Sequence, residues 1–279
     1  MNGKLKSERQ DSILKEVLRR GPVSIPDLAA FLDVSEITVR RDLDELHANS
    51  MLERVRGGAR PLSPREPEPP IVTRLLSQAS EKQAIGQAAI ELVSNGDVIA
   101  LESGSTTLEF ARAIARHSWQ NLQVITNGFL ISEILMCVPG VQLVCIGGYF
   151  KAEEMCTFGV LAEDMLNRMR FNKLFIGCRG IDPEGGITTD LQSETEVFTV
   201  RAMAAAADQV IILADHTKFG HTFLLRAFSI SKVDILITDP LTPENILEKL
   251  RKQDIKVIVV PLVPLPLFTH PDAQGANNV

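Results

Sequence analysis

The chain has 279 residues, 45% hydrophobic and 23% charged, a mix that fits a globular protein of one small and one larger domain. Its longest apolar run, 257–268, is broken by Pro261, Pro264 and Pro266, so no membrane-spanning helix is expected. The N-terminus, with Lys4, Lys6, Glu8, Arg9 and Asp11, lacks an apolar signal core, and a cytoplasmic location is expected.

The net charge of −6 conceals an asymmetry. Residues 1–60 carry 11 Lys+Arg against 10 Asp+Glu, a net +1, and the remainder carries a net −7. Affinity for a polyanion must therefore come from clustered N-terminal cations. Cys137, Cys145, Cys156 and Cys178 form no Cys-x-x-Cys pair and read as reduced core or near-core thiols. His47, His117, His216, His221 and His270 are too scattered for a local zinc motif, and neither metal nor cofactor is expected.

In chain order, Ile13, Leu14, Val17 and Leu18 recur at helical spacing over 7–20, and Gly21-Pro22 stops that helix. Val23 begins a short strand. Ser24 caps a second helix with Pro26 in its first turn and Leu28, Phe31 and Leu32 facing inward. Ser35 caps a third helix in which Val39, Leu43 and Leu46 face the core. A strand over 51–55 and a Gly57-Gly58 turn follow, completing a winged helix-turn-helix pattern over 1–60.

Five prolines, Pro61, Pro64, Pro67, Pro69 and Pro70, mark 61–78 as an extended, semi-stiff linker, or a proline-rich ligand for another protein. Apolar strands at 98–101, 123–126, 142–146, 173–176, 209–213, 235–238 and 256–260 then alternate with helices at 81–94, 108–117, 129–137, 193–207 and 243–252. This is an α/β fold over 79–260, a mostly parallel sheet covered on both faces. The tail, 261–279, reads as loosely ordered.

Two segments carry chemistry. With Val39, Leu43 and Leu46 inward, Glu36, Thr38, Arg40 and Arg41 point outward, and Ser35 sits where free N–H groups meet a phosphate. A helix seated in a major groove reads base edges with such N-terminal residues, while Arg54, Arg56 and Arg60 would let the wing touch backbone or minor groove. The bland alternative is a three-helix interaction module. After the strand at 98–101 come Glu102, Ser103, Gly104, Ser105, Thr106 and Thr107, then a helix. Hydroxyls, a glycine turn and a helix start make an anion site at a strand's carboxyl end, or simply a set of caps.

Residues 7–59 resemble the N-terminal domain of the DeoR family of bacterial transcriptional regulators. The resemblance rests on Arg9 with Ile13-Leu14, Asp27-Leu28-Ala29, Val34-Ser35-Glu36-Ile37-Thr38-Val39-Arg40-Arg41-Asp42-Leu43, and Arg54-Val55-Arg56-Gly57-Gly58-Ala59. Farther on, Glu81-Lys82 through Thr107, Thr126-Asn127-Gly128, Gly147-Gly148, Gly177, Gly180-Ile181-Asp182, Gly185-Gly186-Ile187-Thr188-Thr189 and Ala214-Asp215-His216-Thr217-Lys218-Phe219-Gly220 resemble that family's sensor domain. The sequence departs from the family at Ser50, usually glycine, at Arg56, usually histidine, and at Glu102, usually aspartate. The resemblance implies a sensor similar in fold to ribose-5-phosphate isomerase that binds a phosphorylated sugar or related metabolite. It implies that Ser103, Gly104, Ser105, Thr106 and Thr107 hold phosphate, that Thr126 and Asn127 bond ligand hydroxyls, and that Lys218 neutralises an anionic group.

The leading reading is a repressor, not an enzyme. It binds double-stranded operator DNA as a homo-oligomer and is controlled by a small anionic effector, a sugar phosphate. The competing class is a sugar-phosphate isomerase with an accessory DNA-binding domain, for which Glu102, Asp182, Asp190, Glu194 and Lys218 supply acid–base candidates. A third reading makes the α/β domain an oligomerisation unit alone.

Overall fold

A computed structural model describes residues 6–48, 52–60, 68–190 and 194–262. Met51 of the expected wing strand, Ser50, the 61–67 part of the linker, Ser193 and the tail from 263 lie outside the described residues, as does the side chain of Leu18.

The N-terminal unit contains α1 (Lys6–Arg20), β1 (Val23–Ser24), α2 (Ile25–Leu32), α3 (Glu36–Ala48), β2 (Glu53–Val55) and β3 (Gly58–Arg60). Ser24 caps α2, its Oγ accepting from the Asp27 N–H at 3.2 Å, and Pro26 occupies the first turn, where no N–H is needed. Ser35 does the same for α3, accepting from the Thr38 N–H at 3.3 Å. Ile13, Leu14 and Val17 of α1, Leu28 and Leu32 of α2, and Val39, Leu43 and Leu46 of α3 close on one core. Phe31, expected inside, is 52% exposed. The buried stripe of α2 is Ile25, Leu28 and Leu32, and Phe31 lies about 100° around the helix from Leu32. The wing pairs β3 with both β2 and β1. Gly57 turns it at φ +86°, and a Cβ at Gly58 would collide with the Val23 carbonyl.

The larger unit runs through α4 (Ile71–Arg74), α5 (Ala79–Ala89), β4 (Val98–Leu101), α6 (Ser105–Ala115), β5 (Leu122–Thr126), α7 (Phe129–Leu135), β6 (Val141–Cys145), β7 (Tyr149–Lys151), β8 (Cys156–Phe158) and α8 (Val160–Leu166). It continues through β9 (Phe171–Ile176), β10 (Gly180–Asp182), β11 (Gly186–Thr189), α9 (Glu194–Ala206), β12 (Ala207–Leu213), β13 (Leu225–Phe228), β14 (Ile235–Thr238), α10 (Glu244–Arg251) and β15 (Lys256–Val259). Among the described residues, seven strands form a parallel sheet in the order β15-β14-β12-β9-β4-β5-β6.

Alternation along the strands feeds two cores. Ala100, Leu174 and Ile176 meet Leu166, Met203, Leu247 and Leu250 on one face. Ile99, Leu101 and Phe175 meet Ile85, Phe110, Ile114 and Leu135 on the other. Each such Leu, Ile, Met or Phe side chain contributes about 1.5–3 kcal/mol by leaving water. Helices α5 and α6 pack at Gly86, where a Cβ would lie 2.6 Å from the Phe110 amide nitrogen.

Two further expectations change. Cys145 and Cys137 are exposed, not core. Cys145 ends β6, an edge strand of the sheet, and Cys137 lies in the turn after α7. The stretch from Glu68 to Gln78, expected as linker, lies against the larger unit: Ile71 is buried and its N–H donates to the Glu153 carbonyl at 2.9 Å.

Candidate functional site

The outward face of α3 is built by the ordering of its inward face. Asp42 is buried on the core side and held by Arg9 of α1, whose Nη2 donates to Oδ1 at 3.0 Å. That ion pair fixes α3 against α1. Arg40 bonds Glu36 at 3.1 Å one turn back, and Arg41 lies 3.8 Å from Glu45 with its side chain 82% exposed. Thr38 is half-buried and shares a 2.9 Å hydrogen bond with Ser35. Ile37, which sequence reasoning left out, is 78% exposed at the first turn of α3, beside Thr38 and Arg41. An exposed apolar residue at the start of a helix seated in a major groove has the chemistry to meet a thymine methyl. Its signal was local, an isoleucine off the Val39–Leu43–Leu46 stripe.

The wing arginines differ. Arg56 is exposed beside the Gly57 turn. Arg54 is committed to the fold: Nη1 donates to the Gly58 carbonyl at 3.2 Å and Nε lies 3.1 Å from Asp44. Arg60 pairs across the ladder with Glu53.

In the larger unit a cavity of about 120 Å³ opens beyond the carboxyl ends of β4, β5 and β9. Helix α6 begins at Ser105, three residues earlier than the sequence periodicity suggests, so Ser105 and Thr106 sit in its first turn with N–H groups that have no partner farther back in the helix. Of the residues expected to hold a ligand, Ser103, Gly104, Ser105, Thr106, Asn127 and Lys218 line this cavity. Thr107 and Thr126 do not. The Thr107 hydroxyl donates to the Gly104 carbonyl at 2.9 Å, and Thr126 Oγ1 donates to the Leu101 carbonyl at 2.7 Å while accepting from the Gly128 N–H. Asn127 braces the loop, its Oδ1 accepting from the Ser103 N–H at 3.0 Å and its Nδ2 donating to the Thr157 carbonyl at 3.1 Å. Gly147, Gly148, Gly185 and Gly186 lie away from the lining.

Glu68, Arg74, Glu154 and Arg179 also line the cavity, and sequence reasoning missed them. Arg74 bonds Glu154 and lies 3.3 Å from Glu68, and Arg179 lies 2.6 Å from Asp190 with its guanidinium 4.5 Å above the Phe223 ring. Lys82, buried behind α4, donates to the Arg74 carbonyl and the Ser77 carbonyl, each at 2.6 Å.

The electrostatics follow from burial and crowding. Burial pushes Glu102 up to about 8, against the Ser103 hydroxyl and Arg74, with Glu154 and Glu68 adding to the rise. Burial likewise pushes Glu154 up to about 7. Burial would also raise Glu68, but Arg74, Lys218, Arg179 and Lys82 outweigh it and hold that carboxyl below its usual range. Near pH 7 the lining therefore carries an ionised Glu68 and a neutral Glu102 beside Arg74, Arg179 and Lys218. A protonated Glu102 has a hydrogen to donate to a ligand, while its Oε1 accepts from the Ser103 hydroxyl at 3.0 Å. Burial raises Cys156 and Cys178 to about 12, so both thiols stay protonated.

The DeoR-like helix-turn-helix domain matches residues 9–65, and the DeoR C terminal sensor domain matches 77–240. The chain belongs to the DeoR family. Among relatives of this family, the putative aga operon transcriptional repressor of Escherichia coli O157:H7 is 32% identical over 91% of this chain and 94% of its own length. The glycerol-3-phosphate regulon repressor of Escherichia coli is 29% identical over 90% and 98%, and the transcriptional repressor AccR of Agrobacterium fabrum 31% over 88% and 95%. Among solved structures, ribose 5-phosphate isomerase A from Neisseria gonorrhoeae aligns at a TM-score of 0.37 and 14% identity over 50% of this chain. The alignment spans 52% of that isomerase, about half its length. The helix-turn-helix match spans α2 and α3, and the sensor match spans the cavity lining from Glu102 to Ala227 but not Glu68 and Arg74.

Proposed function

We propose that this DeoR-family protein is a cytoplasmic transcriptional repressor whose α3 reads operator DNA and whose cavity binds a phosphorylated sugar or related metabolite. One observation carries the reading: a helix-turn-helix with outward Glu36, Ile37, Arg40 and Arg41 shares a chain with a cavity that combines a helix N-terminus and three cations. Ser35, Thr38 and Arg56 supply backbone contacts, and Arg54 positions the wing. Ser103, Ser105 and Thr106 face the phosphate, Lys218 neutralises it, and Glu102 donates to a ligand oxygen. Thr126 and Asn127, expected to bond ligand hydroxyls, instead brace the loop through Leu101, Gly128, Ser103 and Thr157.

The relatives' names, an aga operon repressor and a glycerol-3-phosphate regulon repressor, support repression and a phosphorylated ligand. Binding as a homo-oligomer is supported by exposed Phe129, Tyr149, Phe150, Val160 and Leu161, an apolar patch that association would bury. The enzyme reading loses its partners. Asp182 accepts from the Glu184 and Gly185 N–H groups, Asp190 pairs with Arg179 and Glu194 is exposed, leaving only Glu102 and Lys218 of its candidates in the cavity. Gel-shift titration against a panel of phosphorylated sugars tests the proposal. Release of the operator by one of them is expected, and operator binding indifferent to all of them would remove the sensor claim.

A further inference from the structure

The three cations of the cavity already share an anion. The Glu68 carboxylate lies 3.3 Å from Arg74 Nη1, 3.8 Å from Lys218 Nζ and 3.9 Å from Arg179 Nη1. These partners come from three separate places in the chain, α4, the turn after β12 and the loop after β9, and they converge on a residue from a proline-rich stretch. The stretch itself is fastened. The Glu68 N–H donates to Asp190 Oδ2 at 3.3 Å, Arg74 Nε donates to the Pro69 carbonyl at 3.0 Å, and the Ile71 N–H donates to the Glu153 carbonyl at 2.9 Å.

A carboxylate among three cations has the charge and reach of a ligand's anionic group. A phosphate dianion brings more charge and one more oxygen to the same donors, so it competes strongly for them. The two anions repel at such separations, so a phosphate on these donors weakens their hold on Glu68, although Arg74 also pairs with Glu154 and Arg179 with Asp190.

We propose that Glu68 is an internal competitor for the effector: its carboxylate fills the subsite formed by Arg74, Arg179 and Lys218, and a phosphate group takes that subsite and releases the stretch from Glu68 to Ile71, ahead of Arg74. The inference rests on the reading of the cavity as an anion sensor. It adds Glu68, Arg74 and Arg179 to the ligand-determining residues. It also gives the sensor a physical link to the wing, because Glu68 follows Arg60 by only eight residues. Effector affinity and the freedom of this segment are then two sides of one coupling.

The test uses the full chain and inorganic phosphate as probe. Calorimetric titration compares the parent protein with Glu68→Gln and with Glu196→Gln, which removes a cavity carboxylate paired with Lys151 rather than with the three cations. Glu68→Gln is expected to bind phosphate about tenfold tighter, in the range of ordinary coupling factors, and Glu196→Gln less than about threefold. Hydrogen exchange of the parent protein supplies a readout that needs no variant: phosphate should accelerate exchange of the Glu68 and Ile71 amides. Equal gains in the two variants, or phosphate bound with those amides unchanged or better protected, would overturn the competitor while leaving the anion sensor standing. Absence of phosphate binding by both the parent and Glu68→Gln would overturn the anion-sensor reading and the competitor with it.

Discussion

Replacing Glu102 by glutamine tests the electrostatics of the cavity. The folded protein holds this carboxyl at about 8 against an ordinary 4.5, chiefly by burial. A group raised on folding stabilises fully below its unfolded value, and that contribution is lost as pH rises through the folded one. Each pKa unit corresponds to about 1.4 kcal/mol, so the ceiling is roughly 5 kcal/mol. Glu102 is only partly enclosed, and solvent reaching it reduces the expected loss to about 1–3 kcal/mol between about pH 5 and pH 8.5. Glutamine keeps the size and hydrogen-bonding of the neutral acid without the ionisation. Glu102→Gln should therefore gain about 1–3 kcal/mol over the parent protein across that pH range, the neighbouring Glu154 contributing alike to both. Urea unfolding followed by tryptophan fluorescence measures it, because the single tryptophan, Trp119, sits in the sensor and bonds the Ile114 carbonyl. Parallel stability–pH curves for the two proteins would refute the burial argument.

Arg41→Ala should weaken operator binding by about 1–3 kcal/mol in an anisotropy titration. A loss equal on all sequences, with a shallower salt dependence, would mark Arg41 as a phosphate contact instead of a base reader. Thr106→Val should leave operator affinity nearly intact and abolish the effector response in the same assay, and a normal response would argue against the α6 N-terminus as the phosphate site. Lys82→Met leaves the Arg74 and Ser77 carbonyls without their donor and should lower sensor stability by about 2–3 kcal/mol in denaturant titration. Unchanged stability would mean that the segment over 68–78 is not held by this lysine.

The legibility of the fold tracks the range of the interactions that set each element. The stretches 98–101, 174–176, 210–213 and 235–237 of β4, β9, β12 and β14 are buried or nearly so on both faces, so they read as short apolar runs. The α3 stripe of Val39, Leu43 and Leu46 was equally plain. The short strands β7, β8, β10, β11 and β13 carry little periodicity of their own and exist through pairing, as Ile187 does opposite Ile181 and Phe228. Cys145 reads as core because its strand is apolar, and only the sheet order reveals it as an edge. In the cavity, Ser103 to Thr106 were visible because a strand, a glycine turn and a helix start are local. Glu68 and Arg74 were hidden by the prolines around them. Their partners, Glu154, Arg179 and Lys218, lie 80 or more residues away, and no pattern in the linker signals that contact.

The most direct test of the central claim is one titration of the full chain. A duplex enriched from genomic fragments and a scrambled duplex of equal composition are compared, each with and without phosphorylated sugars. The account predicts that the enriched duplex binds about a thousandfold or more tighter than the scrambled one, and that at least one phosphorylated sugar shifts the enriched affinity by about fivefold or more. Equal binding of the two duplexes, or specific binding that no phosphorylated sugar alters, would contradict it.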